Sequence, residues 1–451
     1  MPYGAEVGRR RVRPGSVPRA GLVTSNPPMM PRRSFARVWS HRGYRGVLLS
    51  LVLSGVSVSS YVPLLSLYLV QTLGVSEGTV GLFALTSLAS PLVGILAGRL
   101  SDRLSGRLRL LVVVTIWLAV GRVAMGTAPT FGVAVVVGIA FGAFGAISAA
   151  QVFALLRELL EREREPRQAT VTSTVRTGYS LGWAIGPVIG SLLAAGLGYR
   201  TALVASGLFV LLPLVPLLTL RSVGRSPHGD GATHEVVRPP ARTPAPPTGR
   251  ADPSTPASWG SRSLWLFALV CLLALTGESL RITYLPILAV DRLGISLWLF
   301  GTVVSVAPVV ELVAMPAAGA LADRFGPKPV IVCGLLVGAG GFAAFATSSG
   351  VVGLLVGQLG NACFIAVVLG LGVSYAQQLH PNGAGFASSV FFAAQSLTIA
   401  TGGLLGAALA DRSSGLRELF LTALVLNVVG AALLLRINAP PDPADLPYRT
   451  C

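Results

Sequence analysis

The sequence predicts an all-α membrane protein of twelve transmembrane helices arranged as two six-helix halves, and three observations lead there. Hydrophobic residues make up 52% of the chain, mean hydropathy is +0.70 and only 12% of residues are charged, against roughly 25% in an ordinary soluble domain. Apolar runs of about 20 residues, each long enough to cross a hydrocarbon core of about 30 Å, recur from Gly46 to Arg436. Short sequence matches also recur, in the same order, in the two halves of the chain.

The apolar runs place spans at 46–70, 78–100, 108–128, 131–157, 170–197 and 200–220, then at 264–290, 297–321, 329–348, 350–376, 384–410 and 416–436. The first 45 residues hold ten arginines and no short apolar core followed by a cleavage site, so they read as a disordered cytoplasmic tail rather than a signal peptide. Residues 221–262 contain eight prolines and no apolar run. That composition predicts a flexible cytoplasmic linker between a bundle over 46–220 and a second over 263–438, with 439–451 as a cytoplasmic tail.

A net charge of +17 raises the question of a nucleic-acid partner, which the placement of the charges answers. With the amino terminus in the cytoplasm, most of the 35 Lys and Arg residues fall on cytoplasmic segments. This is the positive-inside pattern of a multi-pass protein of the inner membrane with both termini cytoplasmic. The expected surroundings are the lipid bilayer, with no nucleic acid and a monomeric chain. Enzyme chemistry finds no foothold. The one lysine, Lys328, is preceded by proline, which excludes a Walker A loop. His41, His228, His234 and His380 fall outside the spans and form no metal set, and Cys271, Cys333, Cys363 and Cys451 lack zinc spacing. No metal or cofactor is expected.

The internal repeat joins "SYVPLLSLYLVQTLGVS" (Ser60–Ser76) to "TYLPILAVDRLGIS" (Thr283–Ser296) through Tyr-x-Pro-x-Leu and Leu-Gly-x-Ser. Each is followed five residues later by a glycine, Gly81 and Gly301, and "GRLSDR" (Gly98–Arg103) then matches "GALADR" (Gly319–Arg324) at an offset near 220. Two parallel six-helix repeats are implied.

The loop "GALADRFGPK" (Gly319–Lys328) closely resembles the Gly-x-Leu-Ala-Asp-Arg-x-Gly-x-Lys motif of the major facilitator transporters, whose fold is built from such repeats with the substrate site between them. "GRLSDRLSGRLR" (Gly98–Arg109) carries its second glycine one place late. The resemblance implies a cytoplasmic gate: Asp102 and Arg103 end the second helix facing the start of the eleventh, and Asp323 and Arg324 end the eighth opposite the start of the fifth. A carboxylate at a helix N-terminus is favoured by about 0.3–1 kcal/mol, and that contact exists only when the cytoplasmic side is closed. In the fifth span "GWAIGPVIG" (Gly182–Gly190), with Gly186 and Pro187, looks like the Gly-Pro antiporter motif of proton-driven exporters.

A narrower resemblance, to the bacterial sugar efflux transporters, rests on "QVFALLRE" (Gln151–Glu158), "APVVELVAMP" (Ala307–Pro316) and "QLGNACFIAVVLGLGVSYAQQLHPNGAGFASS" (Gln358–Ser389). It implies export of small sugars or glycosides in exchange for protons. Gly178 departs from the pattern where an amide is expected, as do Glu278 and Arg281 where uncharged residues are expected. The open alternatives are a multidrug exporter of the same fold and a membrane sugar sensor that does not transport.

Sugar recognition calls for amides to meet hydroxyls and flat aromatics to meet sugar faces. Gln358, Asn361 and Gln395 supply amides, Tyr61, Tyr284 and Trp183 supply aromatic faces, and Arg176 is a further candidate substrate contact. Glu278 and Arg281 stand at i, i+3 in the seventh span, where they can pair on one helical face. They either neutralise each other toward the cavity or take part in substrate contact and proton coupling. Glu311 in the eighth span has no neighbouring cation in sequence, so it is the acid expected to carry the proton.

Overall fold

A computed structural model describes residues 38–89, 107–142, 144–165, 168–218, 262–412 and 415–437. Every regular element among them is helical. The first half holds α1 (Arg42–Leu67), α2 (Glu77–Ala84), α3 (Arg107–Thr127), α4 (Phe131–Val137), α5 (Gly145–Arg162), α6 (Gln168–Leu211) and α7 (Leu214–Leu218). The second holds α8 (Arg262–Ile287), α9 (Leu297–Phe325), α10 (Pro327–Ala346), α11 (Val351–Leu379), α12 (Ala384–Leu409) and α13 (Gly415–Leu435). Hydrocarbon offers no partner for a backbone N–H, so apolar segments of this length close their hydrogen bonds internally as helices. Val113, Val136, Leu208, Val313, Val352 and Leu435 point outward, the apolar coat that such a bundle presents to lipid.

Among the described residues, eight helices are long and apolar enough to cross a membrane, and the fifth and sixth predicted spans run together as one of them. They are divided at Gly198, whose φ of 81° only glycine adopts without strain. The predicted span 131–157 is broken into α4, a π-helical turn at Gly138–Gly142 and α5. Only the start of the predicted span 78–100 is described, so Asp102 and Arg103 lie outside the described residues, as does the linker.

The repeat is visible in detail. Both α1 and α8 run for 26 residues and pass into five-residue π-helices, Tyr68–Thr72 and Leu288–Arg292. Each π-helix is followed by a left-handed glycine, Gly74 with φ 67° and Gly294 with φ 65°. The register is therefore 220 residues throughout, from Arg42 to Arg262 and from Gly74 to Gly294. This corrects the Tyr-x-Pro-x-Leu match, which needs a three-residue gap: Tyr61 corresponds to Arg281, not to Tyr284.

Small residues set how closely the helices approach. On the α1–α6 seam a methyl at Gly55 would fall 2.9 Å from the Gly182 Cα, and one at Gly186 would fall 2.6 Å from the Val56 carbonyl oxygen. The stretch "GWAIGPVIG" thus packs α6 on α1. Its Pro187 carbonyl faces the other half, where a methyl at Gly301 of α9 would lie 2.6 Å away. The repeat-related contact joins Gly81 of α2 to α12, at 2.6 Å from the Ala407 nitrogen.

The cores show how the halves are joined. One continuous core fills the second half and takes in Leu64, Tyr68, Val80, Phe83, Met125, Val137, Ala194 and Leu203, all near one end of the first half. A separate core, with Tyr44, Leu51, Leu111, Val152, Leu156, Val175 and Leu214, fills the other end of the first half. Among the described residues, the two halves share a core at one end of the bundle only.

Gly55→Ala is expected to destabilise the protein by about 1–3 kcal/mol, because its methyl meets backbone that cannot rotate away. Gly196→Ala, where nothing lies within 4 Å, should cost nothing. Thermal unfolding of the two purified variants in detergent checks the contrast.

Candidate functional site

Glu278 and Arg281 lie three residues apart on α8 and form a forked pair. Arg281 Nε donates to Glu278 Oε2 at 2.7 Å and Nη2 donates to Oε1 at 2.6 Å. The third guanidinium nitrogen, Nη1, donates to Gln358 Oε1 of α11 at 3.1 Å. A charge in this setting is costly unless paired and hydrogen-bonded. Here the fork neutralises both groups, and the amide takes up the remaining edge. The side chains are 9% and 18% exposed for Arg281 and Glu278, so the pair is nearly sealed and reaches open space on the Glu278 side.

Gln358 and Asn361 stand one turn apart on α11 and are both fully buried. Gln358 Nε2 and both polar atoms of the Asn361 side chain make no hydrogen bond among the described residues. An unmade hydrogen bond in a buried place costs about 1–3 kcal/mol, so this face of α11 holds unused hydrogen-bonding capacity. Glu311 sits part-buried on α9 with no hydrogen bond or ion pair to a described residue. Gln395 is part-buried on α12, and further along the same helix Thr401 shares a 2.7 Å hydrogen bond with Thr276 of α8.

The first half contributes a cation that the sequence reading did not single out. Arg122 of α3 lies with its guanidinium 4.6 Å from the centroid of the Tyr61 ring on α1. Its Nη1 donates to the Ser57 carbonyl and hydroxyl on α1, the latter at 3.1 Å, and more distantly to the Ser206 carbonyl. Trp183 is part-buried on α6, with its ring 6.4 Å from that of Tyr179. The signal was present as a lone arginine in the apolar run "WLAVGRVAMG". Arg176 is exposed on α6, away from these groups by its place near the other core. Asp323 and Arg324 are exposed at the end of α9 and form no ion pair among the described residues, Arg324 resting over the Phe325 ring.

The end where the halves share a core is closed by polar contacts. Asp411, just past α12, accepts from the Gly78 N–H at 2.7 Å and from the Ser76 hydroxyl at 2.8 Å, capping the start of α2 across the two halves. Glu77 Oε1 accepts from Arg292 Nη2 at 2.7 Å, and Gln71 donates to Asp291. Gln71 and Asp291 are repeat-related positions, so they meet on the axis relating the halves. Tyr284, read from sequence as an aromatic face for substrate, is fully buried in this seal and donates to the Glu77 carbonyl at 3.2 Å. The same Leu-Ala-Asp-Arg tetrapeptide ends α9 (Leu321–Arg324) and stands at the end of α12 (Leu409–Arg412). That echo was the available pointer to Asp411. At the opposite end of α12, the N-cap Gly383 offers no side-chain cap.

Two helical repeats joined at one end, with polar groups held between them in an apolar bundle, define a membrane transporter of the two-repeat kind. The chain belongs to the Major Facilitator Superfamily, whose family description matches residues 47–311 and 267–450. It is 29% identical to a sugar efflux transporter A of Dickeya chrysanthemi over 75% of this chain and 81% of that one. To a sugar efflux transporter B of Salmonella typhimurium it is 26% identical over 87% of this chain and 94% of that one. Among solved structures, the nucleoside transporter NupG superposes with a TM-score of 0.65 at 15% identity, covering 87% of this chain and 98% of its own, which shows a shared fold.

If the fork neutralises two buried charges, Glu278→Gln and Arg281→Met should each be more damaging than the double change. A double-mutant cycle on thermal stability should return a coupling of order 1–3 kcal/mol. Additive losses would mean that the two groups act separately.

Proposed function

We propose that this chain is a proton-coupled secondary transporter that exports small sugars or glycosides by alternating access across the inner membrane, with both termini in the cytoplasm. The observation that carries the reading is the asymmetry of the cores: among the described residues, one core joins the halves at the Glu77–Arg292 end, while a separate core fills the other end of the first half. With the positive-inside orientation, the fused end is external, so this state is closed on the outside. The names of the curated relatives support a sugar as the cargo.

In this reading the substrate enters from the cytoplasm and lies between the first-half wall, with Tyr61 and Trp183, and the second-half wall, with Gln358, Asn361 and Gln395. Sugar hydroxyls would engage the unused amide groups of α11, which tie into the Arg281 fork through Gln358. Arg176, exposed toward the cytoplasmic end, meets substrate at entry. On switching, the Asp411 cap on α2 and the Glu77–Arg292 pair part. Asp102 with Arg103 and Asp323 with Arg324 then close the cytoplasmic face against helix N-termini. Tyr284 and Pro187 belong to the external contact that must loosen. The cargo leaves chemically unchanged, so no catalytic group or cofactor is required.

Glu311 carries the proton. It is the acid of the second-half wall without a bound cation, and Pro308, one turn earlier on α9, loosens the helix where water must reach it. Glu278 is held in the fork by Arg281.

Glu311→Gln should abolish uphill export driven by a pH gradient while preserving exchange of sugar at equal concentrations, since exchange needs no net proton release. Counterflow of labelled mono- and disaccharides in proteoliposomes, with and without an imposed gradient, measures both. Normal pH-driven accumulation by the variant would show that the proton travels elsewhere.

A further inference from the structure

The two walls of the bundle are unequal in charge. On α8 the cation Arg281 is matched by Glu278. In the first half the cation is Arg122, and no carboxylate is paired with it among the described residues. All of its hydrogen bonds leave from Nη1, toward Ser57 and Ser206, and its Nε and Nη2 make none among the described residues. A guanidinium in an apolar bundle is costly without a counter-charge, and helix 1 carbonyls supply partial charge only.

The repeat places this cation in register with the second-half site. Tyr61, whose ring carries the Arg122 guanidinium, stands 220 residues before Arg281 on the equivalent helix. Equivalent positions of equivalent helices present equivalent faces to the axis between the halves. Arg122, Tyr61, Tyr179 and Trp183 are each only part-buried. The Trp183 ring lies 6.4 Å from that of Tyr179.

We propose that Arg122 is the anion-binding group of a carboxylate subsite, and that the cargo class extends to sugars bearing one carboxylate, such as hexuronic acids. The proposal rests on the sugar-export reading above. The planar fork of arginine matches a carboxylate with two parallel N–H donors, and Nε with Nη2 is the edge left open. Tyr61, Tyr179 and Trp183 supply flat apolar faces beside it. One guanidinium balances one negative charge, which suits a carboxylate and leaves a phosphate dianion half-compensated. The neutral Glu278–Arg281 fork across the cavity does not oppose such a cargo.

Counterflow of labelled glucose and glucuronate in wild-type proteoliposomes tests this before any substitution is made. Wild-type protein is expected to exchange glucuronate as well as glucose. Arg122→Gln should lower glucuronate exchange at least about tenfold, the scale of a lost charged hydrogen bond, with glucose exchange changed less than about threefold. Arg122→Lys, which keeps the charge without the fork, should fall between wild type and Arg122→Gln for glucuronate. Exchange of glucose but not glucuronate by the wild type would overturn the subsite and leave sugar export standing. Equal losses for both sugars in Arg122→Gln, unrelieved by Arg122→Lys, would make Arg122 a clamp between helices and overturn it too. A wild type that exchanges no member of a panel of hexoses and hexuronates would remove the sugar reading itself.

Discussion

The halves of this transporter touch through copies of one contact, and the rest of the structure depends on that constraint. Gly301 of α9 lies against the Pro187 carbonyl of α6, and 220 residues earlier Gly81 of α2 lies against Ala407 of α12. Neither contact tolerates a side chain at the glycine, so both halves approach to backbone distance at the same end. The polar groups then follow from proximity. Asp411 reaches the free N–H groups that every helix start exposes, and Gln71 meets its repeat partner Asp291. A seal built from short contacts at one end leaves the other end free to part, which is the mechanical requirement for moving a solute without opening a pore.

Charge imposes the second constraint. An apolar bundle with so few ionisable side chains must account for each of them. Arg281 is settled three ways, by two carboxylate oxygens and an amide, and that bridge ties α8 to α11. Movement of α11 relative to α8 would disturb the bridge.

Much of this was legible in the sequence. Composition and repeated apolar runs gave the helical class, and the recurrence of Leu-Gly-x-Ser and of glycine at 81 and 301 gave the two halves. The i, i+3 spacing of Glu278 and Arg281 foretold their pairing, because helical geometry alone brings such residues together. What sequence could not supply was contact between distant segments. Tyr284 looked like an aromatic face for sugar, and only the crossing of α8 with the start of α2 shows it sealed against Glu77. Arg122 was visible as an isolated charge, but its place over Tyr61 depends on how α3 leans on α1. The register slipped for a similar reason: Tyr and Pro recur by chance in membrane helices, whereas the π-helices and left-handed glycines that fix the offset are backbone features.

The central claim is that the end closed by Gln71, Asp291 and Asp411 must open in every transport cycle. Cysteines placed at positions 71 and 291, with the native cysteines replaced by serine, can be bridged by a short bis-methanethiosulfonate and released by a reductant. Bridged protein in proteoliposomes is predicted to lose sugar counterflow and to regain it on reduction, while binding from the cytoplasmic side survives. Undiminished counterflow in the fully bridged protein would contradict the account.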